Sequence, residues 1–297
     1  LSDYGLRYVR VVTPTMQCIV FADMSSEINT INNLLQNCLL IGAASFIIFL
    51  MISILLARWA VKPVAVAWEQ QRQFVANASH ELKTPLTILK GHLAGMLNEV
   101  SGYENHIEYM ERSLAVVDRM KKLVKELLYV SKAEGTQKTE YKTVDFAEIL
   151  RVQVAAVADL LEEKNQHLEA NIPPRLYCEV EQAQMERAIQ NILVNAIRYS
   201  PDGELIRVSL AEADATGCCE VENTGVHIPE DALSHLFEAF YRTDTSRNRN
   251  TGGTGLGLYI VRKIMEMHHA EYGIQNTKRG VLFWIMLPIK QSPFNSI

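Results

Sequence analysis

The chain has 297 residues, of which 48% are hydrophobic and 21% are charged, with five cysteines and a formal net charge of -5. This composition excludes collagen, a disordered tail and a small disulfide-stapled domain, because apolar residues are ample and cysteines are sparse. The mild acidity lacks the basic footprint of nucleic-acid binding, so we expect no direct nucleic-acid partner.

The first predicted elements are short strands followed by an apolar helix. Residues between Tyr8 and Phe21 include many β-branched and aromatic side chains, which favour strands. No charged residue occurs from Leu34 to Ala57, and a helix of this length extends about 36 Å, enough to cross a bilayer core of about 30 Å. The alternatives are a buried core helix, which such a long uncharged run disfavours, and a signal peptide, which lacks its basic segment here. Residues 34–57 are therefore predicted to form one transmembrane helix in contact with membrane lipid.

The charges that flank this run predict its orientation. Arg58 and Lys62 follow the run directly, so its C-terminal side is predicted to be cytoplasmic. Residues 1–33 are too few for a domain, and we expect them to be the end of an extracytoplasmic sensor region that begins before this chain. Residues 58–73 are predicted to be a cytoplasmic linker helix.

Two further helices are predicted over residues 74–135. In the first, apolar residues repeat at a mean spacing of 3.5, at Val75, Ala78, Leu82, Leu86, Leu89, Leu93 and Met96. The second shows a similar spacing, at Ile107, Met110, Leu114, Val117, Met120, Val124 and Leu127. A break at Ser101 and Gly102 makes an antiparallel hairpin, in which Pro85 should kink the first helix. One hairpin cannot cover its own apolar stripe, so we expect a homodimer that forms a four-helix bundle.

The remainder, residues 140–290, is predicted to be an α+β sandwich with helices on one face of a sheet. Its predicted elements are a helix over 146–164, strands over 167–172 and 176–180, a helix over 181–199, strands over 205–211 and 218–223, a helix over 256–268, and a hairpin of strands over 272–277 and 281–287. The whole chain is thus expected to be a multidomain membrane protein.

His80 is predicted to point away from the apolar stripe into solvent, because it lies two residues from Leu82 on a helix. A neutral imidazole offers a nucleophilic nitrogen, and the adjacent Glu81 can accept the other ring proton. An exposed helical histidine taken alone is usually a surface residue. The string Ser79-His-Glu-Leu-Lys-Thr-Pro-Leu86, however, resembles the phosphoacceptor box of two-component sensor histidine kinases. The resemblance implies that His80 is phosphorylated with help from Glu81.

The same resemblance gives Thr84 a role in removing phosphate from a partner protein, by orienting a water molecule. The plain alternative is a hydroxyl that bonds to its own helix backbone.

A second group of polar residues lies on one face of the helix predicted over 181–199: Asn191, Asn195, Arg198 and Tyr199. An ordinary polar helix face is the alternative. The glycine-rich segment from Gly252 opens the last helix with unhindered backbone N–H groups, which can bind a polyphosphate. Together with Phe237-Glu-Ala-Phe-Tyr-Arg242, these segments resemble the ATP-binding domain shared by histidine kinases and the gyrase, Hsp90 and MutL ATPases.

This resemblance implies ATP and Mg²⁺ as cofactors. It implies nucleotide contacts for Asn191, Asn195, Arg198, Tyr199, Asn223, Gly225, Arg242, Gly253, Thr254, Gly255, Leu256 and Gly257. Asn195 would hold Mg²⁺, while Asn191 and Arg242 would act catalytically at the γ-phosphate. Arg198 would bind phosphate, Tyr199 would flank the nucleoside, and residues 231–253 would form a mobile lid.

One box departs from the family pattern of Asp-x-Gly-x-Gly. The chain has Asn223-Thr-Gly225-Val-His227, and an uncharged Asn223 would accept a hydrogen bond from the adenine amino group more weakly. His227 in place of the second glycine should stiffen the hinge of the lid.

The resemblance therefore implies a sensor histidine kinase of a bacterial cell membrane, with its N-terminal remnant outside and its kinase domains in the cytoplasm. It would autophosphorylate His80 in response to an unknown extracellular stimulus, pass the phosphoryl group to a cytoplasmic response regulator, and also act as a phosphatase. The alternative is a non-catalytic or phosphatase-dominated scaffold that binds the regulator. Only 17 residues separate Lys62 from His80, too few for a HAMP relay, so one helix is expected to connect the membrane to the histidine.

Overall fold

A computed structural model of the chain describes residues 6–14, 16–98, 100, 102–103, 105–133, 140–213, 215–243 and 253–290. By its internal contacts the chain divides into two units, Leu1–Arg72 and Gln73–Ile297.

The first unit begins with a β-hairpin. Strands β1 (Leu6–Val12) and β2 (Gln17–Asp23) pair antiparallel along their whole length. The rings of Tyr8 and Phe21 face each other across the pair, with centroids 6.3 Å apart. The predicted strands in this region are confirmed.

Helix α1 (Ser25–Leu97) has 73 residues. Its N-terminus is capped by Asp23, whose carboxylate accepts a hydrogen bond of 2.9 Å from the backbone N–H of Ser25. The helix contains a segment long and apolar enough to cross a membrane, by length and composition. Almost all side chains of residues 34–57 are exposed, which argues against a buried core helix. The helix runs unbroken through Pro63 and Pro85, so the predicted continuous helix is confirmed.

The second half of α1 forms a hairpin with α2 (His106–Ala133). Near the turn, the ring of His92 lies 5.3 Å from that of Tyr109, and its Nδ1 lies 3.2 Å from the Ser113 hydroxyl. Much of the predicted apolar stripe is exposed on this hairpin, including Val75, Leu86, Leu93, Ile107, Met110, Leu114, Val117 and Val124. The single chain therefore leaves a long apolar face uncovered along both helices.

Beyond α2, the described part of the second unit contains seven strands and five helices. In chain order they are β3 (Lys142–Asp145), α3 (Phe146–Ala155), α4 (Ala158–Glu163), β4 (His167–Asn171), β5 (Tyr177–Val180), α5 (Gln182–Tyr199), β6 (Leu205–Ala213), β7 (Thr216–Thr224), α6 (Glu230–Leu233), α7 (Gly257–Met267), β8 (Glu271–Asn276) and β9 (Gly280–Pro288).

The larger sheet has the order β4-β6-β7-β9-β8 and is antiparallel except for the parallel pair β4–β6. β3 and β5 form a separate two-stranded sheet. Residues of β7 and β9 alternate between buried and partly exposed, since one face packs in the core and the other does not. The core includes Ile189, Leu193, Ile260 and Ile264 from α5 and α7, which confirms a sheet with helices packed on one face.

Three elements differ from the expectation, one of which is the short helix α6, which was not predicted. The helix predicted over 146–164 is two helices, because the chain leaves the helical path at Val157, where neither proline nor glycine marks the break. Strand β3 was missed because its four residues are too few to show a period.

Candidate active site

Helix α5 carries polar side chains on one side and apolar ones on the other. Its buried residues include Met185, Ile189 and Leu193, which belong to the core. The carboxylate of Glu181 caps its N-terminus by accepting hydrogen bonds from the backbone N–H groups of Ala183 (3.3 Å) and Gln184 (2.7 Å). The buried apolar face leaves the polar face of α5 turned away from the core.

The glycine-rich segment lies directly against this polar face. A Cβ atom on Gly257, at the start of α7, would lie 3.5 Å from Asn195 Nδ2 and 3.6 Å from Asn191 Oδ1. A Cβ atom on Gly253 would lie 3.2 Å from the Tyr199 hydroxyl and 3.3 Å from Arg198 Nη1. The four polar residues of α5 and the glycine-rich segment therefore border the same space.

The glycine-rich segment also packs closely on Phe240. Gly255 has φ of +73°, and its carbonyl accepts a hydrogen bond of 2.9 Å from the Phe240 backbone N–H. A Cβ atom on Gly255 would lie 2.7 Å from the Phe240 Cα, so only glycine fits. Arg242 follows two residues later and is partly buried. Residues 244–252, which include Gly252 and the second half of the predicted lid, lie outside the described residues.

The end of β7 contains the box that departs from the family pattern. Asn223 is 7% exposed, and its Nδ2 has no hydrogen-bond partner within the part of the chain that the structure describes. Gly225 has φ of +81°, and a Cβ atom there would lie 2.7 Å from the Glu204 side chain, so this turn requires glycine. His227 donates a hydrogen bond of 2.8 Å from Nε2 to the carbonyl of Thr277. This bond ties the segment after β7 to the turn between β8 and β9.

Two residues that the sequence analysis missed hold the C-terminal end of α5. Lys164 Nζ donates hydrogen bonds to the carbonyls of Ile197 (3.1 Å), Arg198 (3.0 Å) and Ser200 (2.9 Å). Gln166 Nε2 donates to the carbonyls of Ile197 and Ser200, both at 3.0 Å. Carbonyls at a helix end lack partners within the helix, and a positive charge there is favourable. The turn that carries Arg198 is thus fixed by side chains from outside α5.

The phosphoacceptor box lies on the exposed surface of α1. His80, Glu81 and Thr84 are all exposed. The Thr84 hydroxyl donates to the His80 carbonyl at 3.3 Å, which is the helix-backbone bond considered as its plain alternative.

Comparison with known proteins identifies both halves of this arrangement. Residues 70–136 match the His Kinase A (phospho-acceptor) domain. Residues 180–291 match the Histidine kinase-, DNA gyrase B-, and HSP90-like ATPase family. The chain belongs to the two-component sensor histidine kinases.

Several relatives in this family are similar to the chain over most of its length. It is 35% identical to sensor protein VanSB of Enterococcus faecalis over 74% of this chain and 49% of VanSB. It is 32% identical to sensor histidine kinase WalK of Bacillus subtilis, over 75% of this chain and 37% of WalK. The chain thus spans about half or less of the length of these curated relatives.

Solved structures show the same fold. The histidine kinase AdeS of Acinetobacter baumannii aligns with a TM-score of 0.58 and 25% identity, over 71% of this chain and 98% of that one. Histidine kinase ThkA, solved in complex with response regulator protein TrrA, aligns with a TM-score of 0.61 over 96% of this chain and 75% of that one. Its 19% identity supports the fold alone.

A half-buried histidine supports the N-terminal end of α5 in this histidine kinase domain. His268 Nδ1 donates to the carbonyl of Ile264 at 2.7 Å, so Nε2 is free to accept a hydrogen bond of 3.0 Å from the Glu181 N–H. Burial lowers the pKa of His268 below its usual value, and the Ile264 bond opposes this shift. The folded state therefore favours the neutral ring, in which Nε2 is an acceptor.

Stability should consequently fall as the solution becomes acidic. The contribution of neutral His268 is complete above the unfolded pKa of about 6.5 and is lost as pH falls towards the lower folded value. We expect the thermal unfolding midpoint of the chain in detergent to drop between pH 7.5 and pH 5.5, and to drop less in His268→Gln. His167→Gln, at an exposed position, is the matched control. Parallel curves for the chain and His268→Gln would contradict this assignment.

Proposed function

We propose that the chain is the kinase-bearing portion of a membrane-bound sensor that phosphorylates His80 from Mg-ATP and passes the phosphoryl group to an aspartate of a response regulator. The observation that carries the proposal is the meeting of the α5 polar face with the glycine-rich segment, on a chain that also exposes a histidine in a phosphoacceptor box. Each part alone is ambiguous. Their combination supports a phosphate donor site and a phosphate acceptor in one protein.

The residues present fit ATP and Mg²⁺. Gly253 and Gly257 leave beside α5 the volume that a Cβ atom would fill, and this space is bordered by two amide groups, a guanidinium and a phenol. We assign Arg198 to phosphate, Tyr199 to the nucleoside and Asn195 to Mg²⁺, because an amide oxygen is a suitable ligand for this hard cation. The bound Mg²⁺ would offset charge on the phosphate oxygens. Asn223 and Gly225 are assigned to the purine.

The reaction is a phosphoryl transfer to nitrogen. The unprotonated ring nitrogen of His80 attacks the γ-phosphorus, the bond from this phosphorus to the bridging oxygen breaks, and ADP leaves with the electron pair. Glu81 accepts the proton from the other ring nitrogen and stabilises the positive ring during attack. Asn191 and Arg242 are assigned to the γ-phosphate, where positioning and charge compensation supply most of the catalysis.

The uncovered apolar face of the α1–α2 hairpin supports a homodimer. Exposed Leu86, Leu93, Met110, Leu114 and Val117 would be covered in a four-helix bundle of two copies. The exposed apolar run at 34–57 supports a membrane helix, and Arg58 with Lys62 supports a cytoplasmic kinase. In such a dimer, exposed Thr84 could release its backbone bond and orient the water that dephosphorylates the regulator.

The experiment that tests this function uses the whole chain in lipid nanodiscs with ATP labelled at the γ-phosphate and Mg²⁺. We expect label on the protein that is stable to alkali and lost in acid, as for phosphohistidine, followed by transfer to a receiver domain. ATP binding without label would contradict the kinase and leave the scaffold alternative. Absence of nucleotide binding would contradict the assignment of the site itself.

A further inference from the structure

Glu126 of α2 reaches the glycine-rich segment from the hairpin. Its side chain is buried in this contact, with 7% of the residue exposed. The Thr254 hydroxyl donates a hydrogen bond of 2.6 Å to Glu126 Oε2, while its oxygen accepts a bond of 3.3 Å from the Leu256 N–H. A carboxylate of the hairpin thus touches the loop that, under the proposed function, surrounds the triphosphate.

Other contacts hold the hairpin in the same place. The guanidinium of Arg187, on α5, lies 3.7 Å from the centre of the Tyr129 ring, on α2. On the α1 side, Phe74 packs against Phe240 at 5.4 Å and Tyr259 at 6.3 Å between ring centroids. Phe240 is the residue whose backbone N–H bonds Gly255. The hairpin therefore contacts the glycine-rich segment directly through Glu126 and indirectly through Phe74.

We infer that Glu126 is a positioning residue that couples nucleotide binding to this hairpin contact. The inference rests on the proposed nucleotide site. The carboxylate accepts the hydrogen bond of the Thr254 hydroxyl. It also places a negative charge beside a loop that must receive a highly negative triphosphate. ATP binding and the Glu126 contact therefore oppose each other, and the opposition is reciprocal: the contact weakens ATP binding, and bound ATP weakens the contact.

The charge argument predicts an effect that depends on phosphate. Glu126→Gln retains an oxygen that can accept the Thr254 bond but removes the charge. We expect this variant of the whole chain in detergent to bind ATP about fivefold more tightly, on the order of one screened charge pair, and to bind adenosine unchanged. Glu126→Asp retains the charge on a shorter side chain and should bind ATP more weakly than Glu126→Gln. Glu111→Gln, exposed on the same helix, is the matched control.

Hydrogen exchange gives a second measurement, which does not depend on any variant. Addition of a non-hydrolysable ATP analogue should speed amide exchange in α2 around Glu126. Equal changes in the affinities for ATP and adenosine in Glu126→Gln would mean a structural role and would overturn the inference, as would unchanged or weaker ATP binding or slower exchange. If the unaltered chain binds neither ATP nor adenosine, the proposed function itself is contradicted. If it binds them but Glu126→Gln gives one of the contrary results, only the role of Glu126 is contradicted.

Discussion

Replacement of His80 by glutamine is expected to reduce phosphorylation of the chain by labelled ATP to less than about one thousandth of the unaltered level. Glutamine has a similar polarity but no nucleophilic ring nitrogen, so the acceptor of the phosphoryl group is lost. ATP affinity should not change, because His80 lies on the hairpin helix, whereas the residues assigned to the nucleotide lie on α5, at the end of β7, at Arg242 and from Gly253 to Gly257. The measurement pairs alkali-stable label with an independent assay of nucleotide binding.

The matched control for this variant is His106→Gln. His106 is also an exposed histidine of the hairpin, at the start of α2, and it has no part in the proposed reaction. This control should be labelled normally. Label that persists in His80→Gln, or that disappears equally in His106→Gln, is the result that would sink the assignment of His80.

Replacement of Asn195 by alanine is expected to lower the rate of phosphorylation about 100-fold. An effect of this size is expected because a group that helps to compensate the charge of the phosphates is lost. Asn195 lies on the polar face of α5, its Nδ2 3.5 Å from the Cβ position of Gly257. Removal of its amide takes away the assigned oxygen ligand of Mg²⁺ without disturbing the buried face. The measurement is the phosphorylation rate across a range of Mg²⁺ concentrations.

Two companion variants distinguish a metal role from a general loss of structure. Gln190→Ala changes an exposed amide of the same helix and should retain full activity. Asn195→Asp restores an oxygen ligand and should recover part of the rate lost in Asn195→Ala, with an altered Mg²⁺ dependence. Similar loss in all three variants would contradict a specific role for Asn195.

The elements with a strong period were predictable from the sequence. The apolar faces of α2 and α5 recur at helical spacing, and strands β7 and β9 alternate between buried and partly exposed residues. The same local pattern could not separate contacts within one hairpin from contacts between two copies. Leu86 and Leu93 share the predicted stripe with Leu82 and Leu89, yet only the latter two are partly covered in the single chain.

The features that the sequence could not supply join residues far apart along the chain. Lys164 bonds carbonyls more than 30 positions away, and Glu126 meets Thr254 across 128 positions. Neither residue lies in a recognisable motif, because any lysine or glutamate in a polar stretch looks the same before the chain folds. The motifs themselves could be read, since their residue types are close together in the sequence and the backbone then places α5 beside the glycine-rich segment.

The side-chain bonds at the C-terminal end of α5 also bear on how the site acts over repeated turnovers. A helix end held from outside by Lys164 and Gln166 is expected to fray less, so under the proposed function the turn that carries Arg198 would keep its shape between one nucleotide and the next. Binding residues that become ordered only when the ligand binds lower the affinity, because their ordering costs free energy. We expect this cost to be small for the α5 residues, which are already held in place. Departure of ADP would leave the phosphate-facing side of α5 ready for the following ATP.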